Sequence, residues 1–203
     1  MSRGMEPVLG RIAYIAFLCL IMFGLTPTPG YCATPPPAES ISKLEDIFAK
    51  VADNLSMEIE SAWHEGRLDV CIELSRLVVE VDPSYVEAYG NGAWLLSSAG
   101  KDAEAVALYK KGIAANPNRY EVYFELGMYY YRKKDFANAE VNFSAATKHA
   151  PPAFVWKILA HSLEKLGRLE DSLAAWDKAK AIDPKDPVIE INMSRIREKL
   201  AGK

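Results

Sequence analysis

The sequence predicts an all-α fold, an array of helical hairpins, and two interleaved markers with one hydrophobic period carry that prediction. Pro83, Pro117, Pro151 and Pro184 fall 34, 34 and 33 residues apart. Gly66, Gly100, Lys134 and Gly167 keep the same spacing in step with them, and each opens a short polar segment such as Gly66-Arg67-Leu68-Asp69. Between breaks the apolar residues recur about every 3.6 positions, as in Tyr123, Leu126, Gly127 and Tyr130, then Ala139, Phe143 and Ala146, the stripe of a helix packed on helices. Each unit reads helix, turn, helix, stop.

Glycine at the first break supplies the positive φ that many helix C-termini adopt, and proline at the second cannot continue the preceding helix. Gly127, Ala146 and Ala179 are small where two helices approach, and Tyr123, Phe143, Trp156 and Trp176 are large where a gap needs filling. One such hairpin cannot bury its apolar face alone, so the units must stack.

With these residues in place the chain resembles a tetratricopeptide repeat protein, whose 34-residue helix-turn-helix unit runs Trp, Leu, Gly, Tyr, then Ala, Phe, Ala, Pro. The unit 120–152 matches throughout with Tyr123, Leu126, Gly127, Tyr130, Ala139, Phe143, Ala146 and Pro151. The unit 153–186 carries Trp156, Leu159, Ala160, Leu163, Ser172, Trp176 and Ala179, and its entry turn is one residue short. The unit 86–119 has Tyr89, Gly92, Ala93, Leu96, Ala105, Tyr109 and Gly112, with glycine where leucine is usual. The unit 52–85 is divergent, with Leu55, Glu58, Ile59, Ala62, Cys71, Ser75 and Val78 in those places, and residues 187–201 read as a terminal capping helix. The resemblance implies a right-handed superhelical solenoid of antiparallel helix pairs over residues 41–203, exported and of bacterial-envelope type.

The N-terminus belongs to another class of sequence. Arg3 and Arg11 precede the uncharged stretch Ile12 to Leu25, and Thr26-Pro27-Thr28-Pro29-Gly30 follows, the layout of a signal peptide. Residues 1–32 are therefore expected to be a signal peptide or an N-terminal membrane anchor, the apolar stretch being short for a span. Cys32 raises lipidation as an alternative, although Pro29-Gly30-Tyr31 departs from the lipoprotein pattern. The expected location is periplasmic or envelope-associated, alternatively the inner membrane, held by residues 12–25.

Residues 33–40 read as a proline-rich linker, and Ser42-Lys43-Leu44-Glu45 has the spacing of a capping box opening a helix that could run to His64. Its apolar residues, from Ile41 through Phe48 and Leu55 to Ala62, suit either packing onto the first repeat or a self-association seam. Cys71 falls where the repeat wants a small buried residue, so it reads as a core thiol, not half of a disulfide.

Thr34 to Pro117 holds 7 basic and 14 acidic residues, whereas Asn118 to Lys203 holds 15 and 12. There is no basic stripe of the kind nucleic acid requires. His64, His149 and His161 are isolated and read as exposed, no metal-ligand spacing occurs, and no phosphate loop or nucleophile elbow is present. The expectation is a chain with no enzymatic activity and no cofactor.

The resemblance places a binding groove along the first helix of each repeat. Carried onto this chain, the family's groove positions give Trp94, Phe124, Met128, Tyr131, Arg132, Phe154, Lys157, His161 and Lys165 as candidates. The large apolar ones would serve as anchors, and the basic ones would grip acidic residues. Gly90 and Trp94 stand where the dicarboxylate clamp of chaperone-associated members has Lys and Asn, so that ligand is excluded. The function implied is an adaptor or scaffold holding a peptide or helix of another envelope protein. Such a partner would carry acidic residues or apolar anchors. The alternative is a structural subunit self-associating through the long first helix.

Overall fold

The computed structural model describes residues 38–202, and the chain divides into two compact units, Met1–Lys50 and Val51–Lys203. The expected signal peptide or anchor of residues 1–32, Cys32 included, and residues 33–37 of the expected linker lie outside the described residues. Those described are helical throughout, without strands: α1 (Ala38–His64), α2 (Leu68–Val81), α3 (Val86–Ser98), α4 (Asp102–Ala115), α5 (Tyr120–Arg132), α6 (Phe136–Ala146), a 3₁₀ turn (Thr147–His149), α7 (Ala153–Lys165), α8 (Leu169–Ile182) and α9 (Pro187–Ala201). No described helix is long and apolar enough to cross a membrane.

α1 opens at Ala38, so residues 38–40 are helical and not linker. Ser42 and Glu45 consequently sit inside the helix, exposed, and cap nothing. In the first unit the helix carries a Lys43–Glu39 ion pair at 2.7 Å and an exposed Ile47. In the second unit Ala52, Leu55, Ile59 and Ala62 of the same helix pack into the core, while Met57 stays 63 % exposed.

Each hairpin turns through one recurring device. Gly66, Gly100 and Gly167 adopt φ of 73°, 77° and 75°, and Lys134, the fourth member of the series, adopts 61°. The amide after each reaches back to the carbonyl five residues earlier, Arg67 to Ala62, Lys101 to Leu96, Asp135 to Tyr130 and Arg168 to Leu163, at 2.9–3.0 Å. The residue itself bonds three back at 3.0 Å in all four. This is the Schellman closure, which satisfies helix-end carbonyls and requires a left-handed residue. Asp69, Asp102 and Glu170 then fall in the first turn of the following helix, where negative charge is favoured.

The second break is equally regular, four residues long except after α6. There the helix tightens into the 3₁₀ turn, Ala150 takes φ 48° and only Ala150-Pro151-Pro152 precede α7. The missing residue of the repeat is thus absorbed in the turn.

The core is one small-against-large pattern repeated. A Cβ on Gly127 would lie 2.6 Å from the Phe143 ring, and one on Gly112 would lie 2.9 Å from the Tyr89 ring. Gly92 follows the same rule: a Cβ there would meet the Ser75 Cβ at 2.8 Å. That glycine is a packing requirement, and its entropic cost is set against close approach. The divergent first unit keeps the internal bonding of the last. Cys71 Sγ, fully buried with its pKa pushed up by burial, donates to the Ile59 carbonyl at 3.5 Å. Ser172 Oγ, in the corresponding place, donates to the Ala160 carbonyl at 2.8 Å. The array closes with α9, begun by Asp186 as N-cap and Pro187 in the first turn, which buries Ile189, Met193 and Ile196.

The cap is locked by Glu164 of α7. Its carboxylate accepts from Arg195, with Nη2 at 2.8 Å, and from Lys199 at 2.7 Å. Arg195 is the main cause that depresses the Glu164 pKa to about 2. A carboxylate depressed on folding contributes stability above its ordinary value, and that contribution is lost as pH falls through the folded value.

Three outcomes follow for this fold. Lys134→Gly should raise the melting temperature by a few degrees, since removing a left-handed side chain is worth about 1 kcal/mol; calorimetry measures it, and an unchanged melt counts against strain at that turn. Gly127→Leu should cost about 1–3 kcal/mol by overpacking Phe143, read from urea denaturation. Glu164→Gln should lower the melt at pH 7, with the gap to wild type closing between pH 4.5 and about 2.

Candidate binding groove

The first helices of consecutive repeats lie side by side, and aromatic pairs bridge them. Trp63 of α1 and Trp94 of α3 stand 5.7 Å apart at 52°. Phe124 of α5 meets Phe154 of α7 edge-on at 5.1 Å, and Tyr120 meets Phe154 at 6.3 Å. The nine sequence-derived candidates all sit on α3, α5 and α7, but they divide by environment.

Trp94 and Phe154 are exposed, at 41 % and 43 %. Phe124, Met128 and Tyr131 are partly buried against the C-terminal core. Phe124 also touches Phe143 at 5.7 Å, and Tyr131 packs on Phe136 at 5.3 Å and Phe143 at 6.4 Å. These three side chains fill the space between and within repeats before they can serve a ligand. Rings of this size are placed by the gap they fill, which periodicity alone does not reveal.

The basic candidates divide likewise. Lys157 is half-buried and paired with Asp186 at 2.8 Å, which lowers the Asp186 pKa. Arg132 is exposed, its Nη2 donating to the Tyr109 hydroxyl at a long 3.5 Å. Lys165 is exposed in the last turn of α7.

Two of the three histidines are not in the exposed state expected of them. His161 is half-buried, its ring edge-to-face with Trp176 at 5.0 Å and 89°, and burial lowers its pKa against the opposing pull of Glu164. The buried Trp176 Nε1 has no hydrogen-bond acceptor among the described residues. His149 stacks on Tyr123 at 5.3 Å and 11°. Only His64 is exposed, within 3.0 Å of Glu60.

Around Trp94 the face is cleft on both sides. A cleft of about 260 Å³ is lined by Ile59, Glu60, Trp63, Asn91, Trp94 and Leu95. Another of about 280 Å³ is lined by Trp94, Ser97, Ser98, Tyr129, Arg132 and Lys133. Lys133 and Ser97 both bind Asp102, at 2.9 Å each, and lower its pKa. Burial pushes the Tyr109 phenol up to about 12 and raises the Glu125 carboxyl, with Arg132 opposing both.

Trp63 was not among the sequence-derived candidates because the first repeat was read only for its core positions. Extending the same register places it twelfth in the unit 52–85, a groove position. Glu125 was missed because its register position is not one the family uses for ligands. It approaches the groove because Gly90 opposite has no side chain, its Cγ lying 3.2 Å from where a Cβ would stand. Among the described residues no group of three His, Cys, Asp or Glu is placed to hold a metal ion.

The sequence model of the tetratricopeptide repeat matches residues 86–119 and 120–151. Residues 86–151 are two tetratricopeptide repeats. Solved tetratricopeptide structures superpose on it at low identity. PilF of Pseudomonas aeruginosa is 16 % identical, with a TM-score of 0.60 over 76 % of this chain and 71 % of that one. MamA of Desulfovibrio magneticus RS-1, from residue 41 to its end, is 16 % identical, with 0.58 over 74 % and 85 %. YrrB, described as a TPR protein with an unusual peptide-binding site, is 21 % identical, with 0.51 over 60 % and 63 %. No curated protein sequence matches the chain. At these identities the likeness is one of fold, a helical solenoid of tetratricopeptide repeats, and repeats of this kind are protein–protein interaction scaffolds.

Because Phe124 and Tyr131 are packed in this array, Phe124→Ala with Tyr131→Ala should cost about 2–4 kcal/mol of stability. Chemical denaturation tests this; a melt within a degree of wild type would return both rings to the ligand.

Proposed function

We propose that the protein is a non-catalytic adaptor that holds a peptide or helix of another envelope protein against the face formed by α1, α3, α5 and α7. One observation carries this reading: Trp63, Trp94 and Phe154, at 43 %, 41 % and 43 % exposure, stand on the first helices of three different repeats. Large aromatic side chains left in water are the residues from which interface anchors are drawn. YrrB, of the same fold, is named for a peptide-binding site. The leader-like residues 1–32 support export, which would place the partner in the cell envelope.

A photo-crosslinking amino acid at position 94 or 154 should trap a partner in cells, whereas the same group at Val141, exposed on a second helix of the array, should not. Crosslinks from position 141 alone, or from none of the three, would sink the groove reading. The exposed Val51 and Met57 on α1 support the alternative, self-association through the long first helix, in which case position 57 would crosslink to a second copy of the chain.

A further inference from the structure

We propose that the Trp63–Trp94 cleft is a receptor for a lysine or arginine side chain flanked by apolar residues on the partner segment. The inference rests on the adaptor reading above and specifies the chemistry of what that face accepts.

The two rings meet at 52° and 5.7 Å, so they form an open corner and do not bury each other's faces by stacking. A cation near the face of an indole is attracted by the ring quadrupole, tryptophan being the best of the aromatic residues for this. The aliphatic stem of lysine or arginine would lie along Ile59 and Leu95, which line the same cleft.

The charge of the walls selects the sign of the occupant. Residues 51–64 and Val86–Ser98, the helical segments on either side, hold Asp53, Glu58, Glu60 and Glu87 and contain neither lysine nor arginine. Glu60 lines the cleft itself, its described partner being His64. Glu87, Asn91 and Trp94 follow one another at intervals of four and three on α3, so the Glu87 carboxylate lies within a Debye length of the cleft. Glu125 of α5 lies over Gly90, one helical turn from Trp94, within electrostatic reach of Arg132 on the same helix. It makes no hydrogen bond to a described residue, and burial raises its pKa.

Arg132 and Lys133 line the cleft on the far side of Trp94, and Arg119 lies within electrostatic reach of Glu87. Lys133 is already engaged by Asp102. An acidic side chain between the tryptophans would face Glu60 across them, and a purely apolar one would leave that carboxylate with no partner beyond His64. A cation satisfies the rings and the carboxylate together.

The test is selection of a phage-displayed random dodecapeptide library on the full-length protein, at low and at 0.5 M salt, which about triples the screening. Recovered sequences should be enriched in lysine or arginine beside apolar residues. Their synthetic peptides should bind about tenfold more weakly to Trp94→Ala, and weaken in high salt. Glu60→Lys, at an exposed position where the fold should tolerate the change, should lose the basic peptides; melting of each variant is measured alongside. Recovery of acidic or purely apolar sequences, no enrichment at all, or undiminished binding by Glu60→Lys would overturn the inference. If positions 94 and 154 still crosslink a partner while selection shows no cationic preference, the adaptor stands and this assignment of its ligand falls.

Discussion

The close crossing of the two helices within each hairpin is the constraint on which everything else depends. Phe143 lies on the bare backbone of Gly127, and Tyr89 lies on Gly112. Hydrophobic burial alone is indifferent to direction, but an aromatic ring seated on a glycine leaves little freedom in spacing or rotation. Once the rotation of a first helix is set, so is the set of side chains it turns away from its partner. Trp94 and Phe154 reach solvent for that reason.

A second constraint acts at the turns. Four left-handed residues close four helices with the same pair of backbone bonds, and the chain accepts a lysine in one of them. The closure depends on backbone geometry, so side-chain identity there changes stability without changing the path. Likewise the deletion after α6 is absorbed by a tightened helix end and a left-handed Ala150. The phase between repeats survives because the buried residues Phe143 and Val155 on either side of that turn still reach the core.

Electrostatics on the groove face differ from what a count along the chain suggests. The C-terminal half holds more bases than acids, yet Lys157 is held by Asp186, Arg195 by Glu164 and Lys180 by Glu190. Of the acids on the N-terminal first helices, Glu60 faces His64 and Glu87 lies within electrostatic reach of Arg119. Charge felt by a ligand is what remains after internal pairing, and pairing is a matter of distance.

The repeat period, both breaks of every unit, the small and large core positions and the terminal capping helix were all readable from the residues, because each is imposed by local backbone chemistry or by a period that any packed helix must obey. Even Lys134 announced its left-handed turn by its place in the series. The tertiary structure alone decided which aromatic residues are free. Phe124 and Tyr131 share a helix with, and lie in the same register as, residues a ligand could touch, but Phe143 of their own repeat packs against both and Phe154 of the next against Phe124. Trp63 and Trp94 are free because the surrounding helices leave their corner open. Periodicity specifies a direction from the helix axis; whether a neighbour stands in that direction is settled only when the repeats are stacked.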